Sequence, residues 1–347
     1  MEVSYDLAVI GGGPAGCAAT ITASRAGKRV LLVEKGRFPR HKVCGEFISP
    51  ESHEILTDLL GRDHALLQAP PQIRQARMFV DGHCLDFILP QPAWSIPRLD
   101  LDRALWSASI RAGANCRDNT TAQNISANSL RLDGKEIGVR SVINASGRWS
   151  NLRRPVSVEQ GSRWIGLKAH FAGEHSPPST DVYFFEGGYC GVQPILSDRI
   201  NASAMVRADV ATSLAEVFAA HPQLWLRSRA WEQLTETVTT SPLIHAAPDP
   251  VTNGVMNAGD AAAFIDPFTG DGISLALRSG VLAAQCAMSD GPDVYAREYQ
   301  RRFSRAFRTA AFTRKLSRAP KSMRRVAALA FQSDFVKRLA LRTTRGV

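Results

Sequence analysis

The residues best equipped for chemistry in this chain fall in two glycine-bearing clusters some 225 positions apart. The first is Gly11-Gly12-Gly13-Pro14-Ala15-Gly16, which follows the apolar run Tyr5-Asp6-Leu7-Ala8-Val9-Ile10 and reads G-x-G-x-x-G. Glu34, followed by Lys35, closes the next apolar run. A glycine turn between a strand and a helix lets the backbone approach a pyrophosphate, and the helix N-terminus faces its negative charge. Glu34 is placed to accept ribose hydroxyls, which favours an unphosphorylated adenosine ribose.

The second cluster spans Asn257 to Leu277, NAGDAAAFIDPFTGDGISLAL. Gly259 and Asp260 end a strand with a carboxylate suited to a ribityl hydroxyl. Pro267, Gly270, Asp271 and Gly272 then form a turn into a helix that starts at Ile273. The N-terminus of that helix would stabilise negative charge on the edge of a reduced ring. An NAD enzyme has no use for this second cluster, so the pair points to FAD. Asp266 and Asp271 flank the turn, where proton transfer and helix capping are equally good roles. No Ser-His-Asp order, H-E-x-x-H or paired carboxylates compete. The six cysteines show no C-x-x-C and no zinc spacing, so no metal is expected.

These clusters need a frame to hold them. Hydrophobic periodicity predicts an α/β chain with antiparallel strands between the two clusters, and the resemblance set out below implies a Rossmann-like FAD-binding domain with an inserted antiparallel-sheet substrate domain and a C-terminal helical segment. The expected bounds are 1–69, 98–156 and 251–290 for the first, 70–97 and 157–250 for the second, and 291–347 for the third. Short alternating runs such as 164–171 and 200–206 read as strands, and 211–237 as helical. Period-two geometry puts Gly166, Lys168 and His170 on one strand face, and Lys168 and His170 are the candidate catalytic residues. Turned toward a flavin they would bind an acidic or phenolic substrate, although a solvent-facing row is the simpler reading.

With both clusters in place, the chain resembles the flavoprotein superfamily of p-hydroxybenzoate hydroxylase fold, which includes aromatic monooxygenases, geranylgeranyl reductases and flavin-dependent halogenases. Three further stretches carry the resemblance. Arg37-Phe38-Pro39-Arg40, Lys42-Val43-Cys44-Gly45-Glu46 and Ser49-Pro50 are similar to the loop after the second strand, and imply that Arg40, Cys44 and Gly45 lie at the cofactor. Ile96-Pro97-Arg98-Leu99-Asp100 resembles the segment whose arginine reaches FAD. Val142 to Arg148, with Gly147, occupies the place of an Asp-Gly fingerprint. Ser146 stands where the aspartate of NAD(P)H-using members would be, so the resemblance implies slow direct reduction by NADPH and a separate flavin reductase as electron donor. Trp94-Ser95-Ile96-Pro97 matches half of the halogenase W-x-W-x-I-P motif, but Pro92 replaces its first tryptophan, which ranks halogenation low.

Length and a 44% hydrophobic composition suit a globular enzyme of about two domains. No apolar run is long enough to span a bilayer, and the first strand starts too early for a signal peptide, so a cytoplasmic protein is expected. The net charge of +10 is unevenly placed. Residues 301–347 hold fourteen Lys or Arg and one acid, whereas the rest holds 28 basic and 31 acidic residues. Phe303, Phe307 and later Val326, Leu329 and Ala330 recur at helical spacing, predicting two amphipathic helices divided near Pro320. A helical cap with a solvated basic face is the simplest reading. Contact with an anionic membrane surface or an acidic carrier protein is the alternative, and nucleic acid is excluded by the lack of any binding motif.

The function expected from sequence is therefore FAD-dependent oxidation of a hydrophobic aromatic, polyketide or isoprenoid substrate of secondary metabolism, a monooxygenase using reduced flavin and oxygen. Reduction of carbon-carbon double bonds stands second, and a halogenase or a non-catalytic flavin-binding protein last.

Overall fold

The computed structural model describes residues 3–148, 152, 163–174, 178–241 and 247–317. The chain enters through β1 (Val3–Ile10), α1 (Pro14–Arg25) and β2 (Val30–Val33). Next come β3 (Phe47–Ile48), α2 (His53–Leu60), α3 (Ala65–Gln68) and the hairpin of β4 (Gln72–Val80) and β5 (His83–Ser95). Helix α4 (Arg98–Arg111) leads to β6 (Asn115–Arg117), β7 (Ala122–Ile125), β8 (Ser129–Leu132) and β9 (Lys135–Asn144). There follow β10 (Trp164–Ala172), β11 (Ser179–Phe185), β12 (Gly188–Pro194) and β13 (Arg199–Arg207). Then come α5 (Leu214–Ala219), α6 (Pro222–Ser228), β14 (Glu232–Gln233) and β15 (Val238–Thr240). The described chain ends with β16 (Val251–Thr252), β17 (Val255–Asn257), α7 (Gly272–Met288) and α8 (Gly291–Ser317).

Two sheets organise these elements. The first runs β16-β17-β9-β1-β2-β6, parallel throughout except at its β16 edge, with β7 and β8 folded beside β9. Alternation along β1 sends Leu7 and Val9 to one face, where α1, α4 and α7 pack, and Ala8 and Ile10 to the other, against Leu130 and Leu132 of β8. Both faces are therefore buried, as a parallel sheet requires.

The second sheet runs β14-β10-β13-β12-β11-β4-β5-β3, with β15 also on β10. Its pairings are antiparallel except that of β4 with β11, where two separated chain segments meet. Leu167, Ala169 and Phe171 face outward into a core closed by Leu214, Val217 and Phe218 of α5 and Leu224 of α6. The opposite face carries Gly166, Lys168 and His170, paired across to Met205, Ser203 and Asn201.

The stretch 211–237 departs from the single helix expected. It forms two short helices, because Pro222 has no N–H to continue a helix and takes the first position of the next one. Glu232–Gln233 and then Val238–Thr240 pair with β10 as strands, and Thr235, Thr237 and Val238 are β-branched. The second amphipathic helix expected beyond Pro320 lies outside the described residues.

Helices α1 and α7 meet where side chains vanish. A Cβ on Gly280 would run into the backbone carbonyl of Ala15, in the first turn of α1. Gly280→Val should therefore destabilise the fold by about 1–3 kcal/mol through overpacking, read as a lowered urea midpoint. An unchanged midpoint would show that the helices can part there without cost.

Candidate functional site

Between the C-terminal ends of the parallel strands and the inner face of the second sheet lies a cavity of about 570 Å³. Its floor is set by backbone geometry. Gly11 adopts φ 108°, and a Cβ there would collide with Ala145, so the turn must be glycine. Gly16 is likewise a packing glycine, against Gly11, and is not among the lining residues. Gly13, Gly147 and Gly272 differ in kind: a Cβ on any of them would meet no protein atom within 4 Å. Of the expected cofactor residues, Gly11, Gly13, Pro14, Ala15, Glu34, Lys35, Arg40, Cys44, Gly45 and Arg98 line the cavity. So do Gly147, Gly259, Asp260, Pro267, Gly270, Gly272 and Ile273, whereas Asp271 sits behind them as the residue before α7.

This cradle fits FAD. Helix α1 starts at Pro14 with no side-chain cap on Gly13, which leaves N–H groups for an anion. Glu34 is buried, and its carboxylate accepts from the backbone N–H of Gly12 (2.8 Å), that of Gly36 (2.8 Å) and Arg40 Nη1 (2.8 Å). Burial raises this carboxyl, and the Arg40 contact and charge outweigh it, leaving it below its ordinary value. With about four acceptor sites on a carboxylate, one is left for a ribose hydroxyl. Arg98, half-buried, is held by the buried Asp102 through two hydrogen bonds at 2.8 and 2.9 Å.

For Lys168 and His170 it is the solvent-facing reading that the structure overturns. Neither faces solvent, being 1% and 7% exposed, and neither lines the cavity. Both turn toward Glu46, which sits in the loop between β2 and β3 with φ 61° and no exposure. Lys168 Nζ donates to Oε1 at 2.6 Å, His170 Nε2 meets Oε2 at 2.8 Å, and the Arg98 backbone N–H donates to Oε1 at 2.8 Å. Asn201 Nδ2 adds a bond to the Cys44 carbonyl at 3.0 Å. Burial pushes the Glu46 carboxyl up, while the His170 hydrogen bond and the Lys168 charge pull it further down, so it lies below the usual carboxylate range. A strand of the second sheet, the loop that runs from β2 of the first sheet into β3 of the second, and the start of α4 are thus joined at one carboxylate, and Glu46 is among the residues that line the cavity. The pattern around Cys44-Gly45-Glu46 drew attention to the loop, but nothing local in sequence pairs Glu46 with residues 122 and 124 positions away.

Other lining residues went unassigned in the sequence. The Arg148 guanidinium lies 4.1 Å over the Phe264 ring. Tyr189 Oη donates to Asp266 Oδ1 at 3.4 Å, and its ring packs near Phe184 and Phe268. Burial holds the Tyr189 phenol well above its ordinary value, and the neighbouring Asp266 adds to this. Asp266 also accepts the Phe268 backbone N–H, so it caps the turn it flanks. Ser146 of the lining and Asn257 behind it both bond the Asn144 side chain, and the Tyr295 hydroxyl of α8 donates to the Asn257 carbonyl at 2.6 Å. No cluster of His, Cys, Asp or Glu able to hold a metal ion occurs among the described residues.

Comparison with known proteins agrees with this geometry. The profile of the FAD dependent oxidoreductase family matches residues 6–39. The chain is 26% identical to a menaquinone reductase of Mycolicibacterium smegmatis, over 99% of this chain and 91% of that protein. It is 28% identical to a digeranylgeranylglycerophospholipid reductase of Methanosarcina mazei, over 83% of this chain and 76% of that one. The fold is similar to that of the flavin-dependent brominase Bmp2, with a TM-score of 0.80 at 21% identity, covering 98% of this chain and 93% of the other.

The Glu46 cluster makes a prediction with a definite sign. A carboxyl held below its unfolded value stabilises the fold above about pH 4.3, and that contribution is lost as pH falls through the folded value. Glu46→Gln should cost about 3–5 kcal/mol at pH 7, since Lys168 keeps a buried charge without its partner. In urea melts the difference from the parent should shrink between pH 7 and pH 3. A difference that holds or grows on acidification would contradict this reading.

Proposed function

We propose that this FAD-dependent oxidoreductase, a member of the p-hydroxybenzoate hydroxylase-fold superfamily, reduces a carbon-carbon double bond in an elongated, lipophilic substrate. One observation carries the reading: a slot across the inner face of the second sheet. Ser203, Gly191 and Val182 stand side by side there on β13, β12 and β11, and all three line the cavity. A Cβ on Gly191 would meet only the Ser203 carbonyl, at 3.7 Å, so nothing fills the middle of the sheet. Met205, Tyr189 and Phe184 form the row on one side, and Asn201 and Gln193 stand on the other. Such a trough takes a narrow apolar chain with one polar flank.

FAD, when bound, supplies the two electrons of the reduction. Gly13, Glu34 and Asp260 are the residues that would hold it, and Glu46 fixes the loop beside it. Tyr189 lines the cavity, and its phenol, protonated at neutral pH as an ordinary tyrosine is, is the group we assign to supply the proton that a saturated product needs. Asp266 orients that hydroxyl. The sheet above excludes water from the trough. The reading is further supported by the two reductases, both of lipid-like compounds by name, that match most of this chain.

Oxygenation, the first expectation from sequence, predicts the opposite dependence on oxygen. Chemically reduced protein should be incubated anaerobically with a polyprenyl quinone and with a geranylgeranyl lipid, and the products weighed. Saturation of a double bond leaves one of them heavier by about 2 mass units without oxygen, a gain that persists after any quinol is reoxidised to the quinone. A product heavier by about 16 units, labelled from heavy oxygen gas and absent anaerobically, would replace this reading by monooxygenation.

A further inference from the structure

Helix α8 has two faces that do different work. Tyr295, Tyr299, Phe303 and Ala310 are buried in the core beside the first sheet. Arg297, Arg301, Arg305 and Arg308 are exposed. At about 100° per residue the buried set centres near 45° and the arginine set near 235°, so the two lie on opposite sides of the helix. The arginines occupy the crest of the helix, over a row about 16 Å long. Arg301 shares Glu298 with Arg302, and among the described residues Arg297, Arg305 and Arg308 have no acidic partner. A stripe of this kind costs self-repulsion and serves neither packing nor the cavity.

We propose that the arginine stripe of α8 is a docking surface for an anionic lipid bilayer. Charge complementarity selects an anionic occupant, since α8 opens the stretch where fourteen of the chain's 42 basic residues gather against one acid, while the remainder of the chain carries slightly more acid than base. Shape selects the bilayer over an acidic protein. A row about 16 Å long on the outer side of one continuous helix, opposite its buried side chains, meets a flat surface along its whole length. No described helix is long and apolar enough to cross a membrane, so the contact is peripheral. The proposal is independent of whether the site reduces or oxygenates.

The core side of α8 gives docking a fixed orientation. Tyr295 holds the Asn257 carbonyl, three residues before Asp260, so the helix that meets the bilayer is joined to the cavity's own wall.

The test is co-sedimentation of the full-length, FAD-loaded protein with vesicles of phosphatidylcholine alone and of phosphatidylcholine with 30% phosphatidylglycerol. Three proteins are compared: the parent, Arg297→Glu/Arg305→Glu/Arg308→Glu, and Arg62→Glu/Arg117→Glu/Arg131→Glu. The last changes net charge equally at exposed positions elsewhere. The parent should bind the anionic vesicles alone and lose them in 0.5 M salt. The α8 triple should bind about a hundredfold more weakly, from roughly 1 kcal/mol per arginine, while the control stays within a few-fold of the parent. Equal losses in both triples, no loss in the α8 triple, or a parent that ignores anionic vesicles but binds an acidic carrier protein would each overturn the proposal. Unchanged flavin absorbance and melting temperature establish that the variants are folded.

Discussion

A carboxylate with no access to water, Glu46, is the constraint on which the rest of this structure turns. A buried charge is tolerated only where partners replace its hydration. Here three partners come from two elements: Lys168 and His170 on β10, and the Arg98 backbone N–H at the start of α4. To satisfy one side chain, the second sheet and the start of α4, a helix packed against α1 on the first sheet, must sit at a set distance from each other. The cavity is the space this leaves. Its floor is glycine backbone and its walls are Glu34, Asp260 and the turn Pro267–Gly272. Its roof is a sheet face that gives up side-chain volume at Gly166 and Gly191.

The same separation distributes chemistry. Cationic and acidic groups gather where the two layers touch, and aromatic groups gather at Phe184, Tyr189, Phe264 and Phe268, toward the end of the second glycine cluster. A cofactor bound along the floor then has polar clamps at one side and an apolar trough above it. The outward face of the roof closes a core of its own under α5 and α6, so the inner face needs no packing partner and is left for ligand. The long helix α8 packs on α7 and the β16–β17 edge of the first sheet, with two tyrosines among its fully buried side chains.

What the sequence made legible followed from local physics. Gly11, Gly13, Gly16 and Glu34 are recognisable because a strand, a turn and a helix lie in order within thirty residues, and Asp260 with Gly270 because a second such unit does. Those signals carry the FAD assignment and the α/β fold. Alternation along 164–171 correctly separated Lys168 and His170 from their apolar neighbours. It could not say what the polar face met, because burial of a lysine requires a counter-charge, and that counter-charge lies in a loop over a hundred residues earlier. Arg148 and Tyr189 were visible only as members of motifs, since the cation-π contact and the Tyr189–Asp266 bond depend on tertiary approach. The run 211–237 was misread because helical composition outweighed one proline, whose missing N–H ends a helix whatever surrounds it.

The most direct test is the FAD dissociation constant across a double-mutant cycle of Glu46→Gln and Lys168→Met. If the buried pair sets the spacing of the two layers, each single change leaves one polar or charged group unmatched and should weaken FAD binding about tenfold or more. The double change should recover much of that loss, with a coupling of about 1.4 kcal/mol or greater. Single variants that bind FAD like the parent, or losses that simply add within about 0.5 kcal/mol, would show that the cleft is held open by something other than this carboxylate.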